Sequence, residues 1–195
     1  MGTQEAPKFI TEEEYLIGEA NAETKSEYDN GVVVAMAGAQ TEHNLIVANV
    51  IYELSKCARE RGCDVFPSDM LLKLASCKRY VYPDVMMVCG KKRIKRKEQN
   101  GMDVLLNPTV IVEVSSPSTE QDDQIKKRDC YFELQSLKQY VLIDSQKKSV
   151  WVYTRNGSDS DDWLLTKYKD ETEPKPVKLE NCTLKFSEIY RSTEL

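Results

Sequence analysis

The chain has 195 residues, 41% of them hydrophobic and 30% charged, with a formal net charge of −5. That length makes one domain the simplest organisation, and it is enough to bury a core without disulfides or a structural metal. No stretch approaches the roughly 18 apolar residues of a membrane span, and the acidic sum argues against a broadly basic nucleic-acid surface, although charge placement matters more than the total.

Residues 1–10 read as a leader ahead of one domain over 11–195. Met1 to Lys8 lacks the basic-then-apolar layout of a signal peptide, so a cytoplasmic protein is expected. Thr11 opens a capping box with Glu14, and Glu12, Glu13 and Glu14 suit a helix dipole, which predicts a helix over about 11–20. Asn30-Gly31 is a hairpin signal, because both residues accept positive φ. It predicts strands near 25–28 and 32–37.

From about Thr41 to Arg61 the period becomes helical. Val47, Val50, Ile51, Leu54 and Ala58 share a face, and Gly62 marks the stop. Strands are predicted at 63–67, 70–75 and 80–89. The run from Lys91 to Lys97 carries six basic residues in seven, either as phosphate contacts or as a solvated loop. A polar loop then leads to Asn107-Pro108 and a strand at 109–114, apolar on both faces as in a central sheet position. Ser115-Ser-Pro-Ser118 breaks that strand, and Ser118 with Gln121 caps a helix over about 119–135. Strands at 140–143, 149–153 and 163–168 follow, then weaker strand signals and a turn near 187–190. Strands interleaved with two long helices indicate an α/β domain whose helices cover a central mixed sheet.

The six cysteines (Cys57, Cys63, Cys77, Cys89, Cys130 and Cys182) form no C-x-x-C pair, so neither a zinc ribbon nor a thioredoxin-like centre is indicated. They are expected as small buried thiols.

Two buried-looking strands each carry one carboxylate, Asp84 and Glu113. An ionised carboxylate beside a core costs several kcal/mol unless a partner compensates it. Pro83 removes a ladder donor and marks an edge, bulge or bend that re-aims Asp84. Glu113 stands just before the Ser-Ser-Pro break, facing a mouth. Two carboxylates at strand ends suit a hard divalent cation, Mg2+ or Mn2+, which takes oxygen ligands; the other reading pairs each acid separately with Lys or Arg. Asp123, Lys127 and Tyr131 are spaced by four on one helical stripe. Lys127 fits either charge stabilisation beside such a site or an ordinary surface pair with Asp123. From the residues alone Glu27 reads as a strand residue on an exposed hairpin face, and His43, the one histidine, is open between a phosphate contact and a cap-region side chain.

Lys25-x-Glu27-Tyr-x-x-Gly31, His43-Asn44, Phe66-Pro-Ser-Asp69, Tyr82-Pro-Asp84-Val, Asn107-Pro, Val112-Glu113-Val-x-Ser-Pro-Ser-Thr119, Lys127-x-x-x-Tyr131 and Gln139-Tyr-Val-Leu-Ile-Asp144 occur in that order. The ordered set, over roughly 11–190, resembles the restriction-endonuclease-like family within the PD-(D/E)xK nuclease superfamily. The resemblance implies a restriction-endonuclease-like α/β core with an N-terminal helix and β-hairpin, and Asp84 and Glu113 as metal-binding acids. It also implies Lys127 as the catalytic lysine and Glu27 as an auxiliary acid. The superfamily pattern has a lysine two residues after the second acid, where this chain has Ser115. Mg2+-dependent cleavage of DNA, with a homodimer as one arrangement, is the leading expectation. The rivals are a catalytically inactive nucleic-acid- or protein-binding module, motivated by Ser115 and the acidic pI, and a metal hydrolase of small phosphoesters.

Overall fold

Local signals set the first elements of the computed structural model, which describes residues 9–95, 102–115, 122–157, 160–169 and 175–195, with the side chains of 122–124 left aside. Helix α1 (Glu12–Glu19) starts on the expected capping box: the Glu14 backbone N–H donates to the Thr11 hydroxyl at 3.2 Å, and the Glu14 carboxylate accepts from the Thr11 N–H at 2.8 Å. Strands β1 (Ser26–Asp29) and β2 (Val32–Ala35) form the predicted hairpin, with Asn30 at φ 43° and Gly31 at φ 101°. Both residues are left-handed, which matches the twist of the flanking strands.

Helix α2 (Thr41–Arg59) buries Ile46, Val50, Leu54 and Ala58, a stripe at helical spacing. Strands β3 (Cys63–Pro67) and β4 (Leu71–Leu74) follow as predicted. The next predicted strand, 80–89, is in fact two: β5 (Arg79–Val81) and β6 (Val85–Cys89). They belong to different sheets, and the chain crosses between them at Tyr82-Pro83-Asp84. Pro83, with no N–H to give a ladder, is where one sheet ends and the other begins.

The loop predicted after residue 90 contains two short strands, β7 (Ile94–Lys95) and β8 (Val104–Leu105). Strand β9 (Val110–Ser115) leads to helix α3 (Asp122–Phe132). The expected cap at Ser118 and Gln121 lies outside the described residues, as do Arg96 and Lys97 of the basic run. Strands β10 (Gln139–Asp144), β11 (Ser149–Arg155) and β12 (Trp163–Lys169) form a meander. A small hairpin, β13 (Val177–Leu179) with β14 (Cys182–Leu184), and the one-turn α4 (Phe186–Ile189) complete the described chain.

Among the described residues the central layer is not one mixed sheet but two of six strands, ordered β2-β1-β5-β4-β8-β7 and β12-β11-β10-β9-β6-β3. In the second sheet β9 and β10 run parallel, joined through α3, while β6 runs antiparallel to β9. Helix α2 and the C-terminal hairpin cover one face over Val85, Met87, Val112 and Val141. Helix α3 covers the other through Tyr131, over Met86, Val88, Ile111 and Tyr140. At about 25 cal/mol per Å2, each such fully buried aliphatic side chain stabilises the fold by roughly 1.5–3 kcal/mol. Among the described residues no helix is long and apolar enough to cross a membrane.

The cysteines depart from expectation. All six pair: Cys57 with Cys182, Cys63 with Cys89, and Cys77 with Cys130. Sequence spacing carried no sign of this, because tertiary contact makes each pair. Cys63 and Cys89 are direct partners in the β3–β6 register. Cys57 reaches from α2 to β14, and Cys77 from the β4–β5 turn to α3.

Candidate active site

The crossover at Tyr82-Pro83-Asp84 brings three carboxylates to one place: its own Asp84, Glu27 of β1 and Glu113 of β9. Because the backbone leaves one sheet there and has not yet joined the next, its amide groups are free to serve side chains. The Tyr82 N–H donates to Glu27 Oε1 at 3.1 Å, and the Asp84 N–H donates to Glu113 Oε2 at 3.3 Å. Asp84 reaches across to β9, where its Oδ2 accepts from the Val114 N–H at 2.7 Å. Its Oδ1 lies 3.1 Å from His43 Nε2, in the first turn of α2.

Glu113 projects from β9 toward α3. Its Oε1 accepts from the Tyr131 hydroxyl at 2.6 Å and lies 3.3 Å from Lys127 Nζ. Lys127 also donates to Glu27 Oε1 at 2.9 Å. The side chains of Glu27, His43, Asp84, Glu113 and Lys127 are each 16–22% exposed, so each keeps some contact with solvent. The structure therefore brings Glu27, His43, Asp84, Glu113 and Lys127 together. Lys127 is held by Glu27 and Glu113, so its environment is not that of a surface lysine; the Asp123 side chain lies outside the described residues.

Electrostatics follow from this crowding. Burial raises the Glu113 carboxyl above its ordinary range, and the neighbouring Asp84 adds to that, while Lys127 and the Tyr131 hydroxyl oppose it. Burial works against the Lys127 charge, but Glu113 and Glu27 outweigh it and hold the ammonium well above its usual value. The hydrogen bond with Asp84 raises His43 against the effect of burial. Burial, with Glu113 beside it, keeps the Tyr131 phenol protonated.

Two acids, one just before β6 and one on its neighbour β9, linked by the amide of Asp84 to the carboxylate of Glu113, form a donor set made only of oxygen. Lys127 offsets Glu113 and Glu27 but does not bridge to Asp84. The environment that makes a charged Glu113 costly is the one a cation would relieve. Among the described residues no three or more His, Cys, Asp or Glu side chains form a cage for a metal. Asp84 and Glu113 offer carboxylate oxygens, the donor type that a hard cation such as Mg2+ takes while keeping several waters.

Tyr131 was visible in the sequence only as the third member of the Asp123–Lys127–Tyr131 stripe; its hydrogen bond to Glu113 gives it a place in the site. Ser115 lies two residues beyond Glu113 on the same strand, and by strand alternation on the same face. An ammonium reaches Glu113 from α3, on Lys127 at 3.3 Å. Within the basic run Ile94 and Lys95 form β7, at the edge of the first sheet, and Lys92 pairs with Asp64 at 2.8 Å.

Residues 12–187 match the family model Uma2, described as "Putative restriction endonuclease". Two uncharacterized proteins of Synechocystis sp. (strain ATCC 27184 / PCC 6803 / Kazusa) are similar along most of their length. One, sll1609, is 34% identical over 84% of this chain and 90% of its own. The other, slr1290, is 28% identical over 87% of each. The crystal structure of a "putative nuclease belonging to DUF820" from Anabaena variabilis ATCC 29413 superposes with a TM-score of 0.69. It is 20% identical and covers 93% of this chain and 97% of its own, which establishes a shared nuclease-like fold.

Proposed function

Since the chain belongs to the Uma2 family of restriction-endonuclease-like proteins, we propose that it is a Mg2+-dependent endonuclease that hydrolyses DNA phosphodiester bonds. The observation that carries this reading is the convergence of Asp84, Glu113 and Lys127, with a protonated lysine 3.3 Å from a carboxylate suited to a hard cation. When bound, Mg2+ or Mn2+ supplies charge neutralisation and polarisation of a phosphoryl oxygen.

The residues divide the remaining work. Asp84 and Glu113 would hold the cation, from the crossover before β6 and from β9. Lys127 stays charged, so it acts as a hydrogen-bond donor to developing negative charge, not as a general base. Glu27 steadies the Lys127 ammonium from below, and Tyr131 fixes the rotamer of Glu113 by its hydrogen bond. His43, charged over a wider pH range through its bond to Asp84, stands ready to meet a phosphate oxygen at the start of α2. The reading includes a cytoplasmic setting, where DNA is met, and a homodimer, whose two sites would address the two strands of a duplex.

The test is plasmid nicking in Mg2+ or Mn2+ with Asp84→Ala and Glu113→Ala as controls. Each substitution is expected to reduce cleavage by about 100-fold or more; cleavage indifferent to both would remove the assignment. Metal binding has its own readout. At a free Mg2+ concentration about ten times its Kd, mass action adds ~1.4 kcal/mol of stability, a Tm rise of about 3–5 °C for a chain of this size, absent in the same two variants. The second reading, an inactive binding module, is favoured by Ser115 alone; it is the outcome if plasmid stays intact and Mg2+ leaves Tm unmoved.

A further inference from the structure

The row of side chains that contains Glu113 does not stop at the site. Register partners project from the same face of a sheet. Glu113 pairs with Leu142, Leu142 with Trp151, and Trp151 with Lys167, on β9, β10, β11 and β12 in turn. These four therefore line one face from the acid to the sheet edge. Helix α3 buries the lower part of that face, where Phe132 stacks on Trp163. Along the row Leu142 and Trp151 are half-buried and Lys167 is exposed, so the row opens to solvent at its outer end.

A surface depression of about 710 Å3 lies at the outer end of this row. Its lining includes Trp151, Lys147, Lys148, Lys167 and Lys169, and among the described residues no acidic side chain. The Lys167 ammonium sits 4.1 Å from the centre of the Trp151 ring, which sets its position. Lys147 is 72% exposed and makes one long contact, 3.4 Å to Asp144. Four lysines around one tryptophan in a chain of net charge −5 are a local feature, not general basicity.

We propose that this depression is the track on which DNA flanking the scissile phosphate lies, with Lys147, Lys167 and Lys169 on the phosphates and Trp151 as the apolar floor. The proposal rests on the endonuclease reading of Asp84 and Glu113. Its geometry is that of a continuous strand: three strand spacings of about 4.8 Å separate Glu113 from Lys167, about 14 Å in all. That distance equals about four base pairs of axial rise along a B-form duplex, at about 3.4 Å each. The basic run on β7 belongs to the other sheet and does not share this row.

The experiment measures binding of a fluorescent mixed-sequence DNA duplex to the full chain in Ca2+, which is to occupy the metal site without turnover. The triple variant Lys147→Gln/Lys167→Gln/Lys169→Gln is compared with Lys56→Gln/Lys178→Gln/Lys185→Gln, which removes the same charge from α2 and the C-terminal segment. Because all the substituted side chains are surface lysines, thermal melting is expected to show all variants folded. The track variant is expected to bind about tenfold or more weakly, with a salt slope smaller by roughly 2–3 between about 50 and 200 mM. The control triple is expected to bind as the parent does. Equal affinity in the track variant, an equal loss in the control, or no binding by the parent each overturns the proposal. A failure of the metal-site reading looks different, since it is cleavage that survives Asp84→Ala whatever the lysines do to affinity.

Discussion

Lys127→Met is expected to lower the stability of the folded chain by about 3–5 kcal/mol, more than any other single substitution at the site. Its ammonium lies between Glu27, at 2.9 Å, and Glu113, at 3.3 Å, and all three side chains are less than a fifth exposed. Methionine fills the same volume but leaves two carboxylates facing each other without a cation, and it is this leftover charge that is costly. Lys127→Arg, which keeps a cation, is expected to lose far less. The double variant Glu27→Gln/Lys127→Met should recover part of the loss, because one of the two stranded charges is gone.

The pH dependence separates this from a simple packing defect. Glu113 has a folded-state pKa raised above its ordinary 4.5, chiefly by burial, so the folded chain holds that proton more tightly than the unfolded one. Stability is therefore lost as pH rises from the unfolded value through the folded value. Lys127 limits the width of that window by favouring the ionised acid. Without it the Glu113 pKa climbs further, so the loss continues to higher pH and becomes larger. Lys127 also contributes directly: its pKa is raised, so its stabilisation is fully present below its unfolded value and disappears only as pH rises through the folded one. Urea titrations at about pH 5 and pH 8 should show a deficit for Lys127→Met that is greater at the higher pH. Equal stability of variant and parent at both would sink the account. In the nicking assay the same variant is expected to lose about 100-fold or more, as for removal of one transition-state donor.

What made this site readable from sequence is that its acids break local rules. Asp84 and Glu113 are carboxylates in strands that should be apolar, and Pro83 and the Ser115–Pro117 break give each a reason to face outward. Thr11 with Glu14, and Asn30 with Gly31, act within three residues, so their helix start and hairpin are legible for the same reason. Distance is what hides the rest. Nothing near Glu27 announces that Lys127, on α3, will donate to it. Residues 80–89 read as one strand because the alternation runs through; only the partners of each half, Tyr28 on one side and Val112 on the other, divide them between sheets. Strands β7 and β8, two residues each, are too short for any periodicity to register.

Reduction of the three disulfides is expected to unfold most of the chain or bring it to the edge of unfolding. Their sequence separations are 26, 53 and 125. The chain-entropy relation gives each about 3–5 kcal/mol, largest for the longest loop, against a total stability of about 5–15 kcal/mol for a typical domain. The three do not act alike. Cys57–Cys182 ties α2 to the C-terminal hairpin on the face away from α3, so Cys57→Ala/Cys182→Ala should cost the most stability and spare the site. Cys77–Cys130 fastens α3 itself, three residues beyond Lys127 and one before Tyr131. Loosening α3 there should weaken the hold on Glu113, so Cys77→Ala/Cys130→Ala should cost less in urea yet shrink the Mg2+-induced rise in Tm. Alkylation of the isolated protein before and after reduction counts the thiols, and six labelled only after reduction is the expected result. In a mesophile's cytosol such pairs are kept open, whereas hyperthermophiles keep intracellular disulfides. The thiol count on protein taken directly from its cells therefore also tests the cytoplasmic setting: pairs found closed there place the chain in a hyperthermophile-like cytosol or in an oxidising compartment. A reduced chain with the Tm of the oxidised one would mean that α2, α3 and the C-terminal hairpin hold by packing alone.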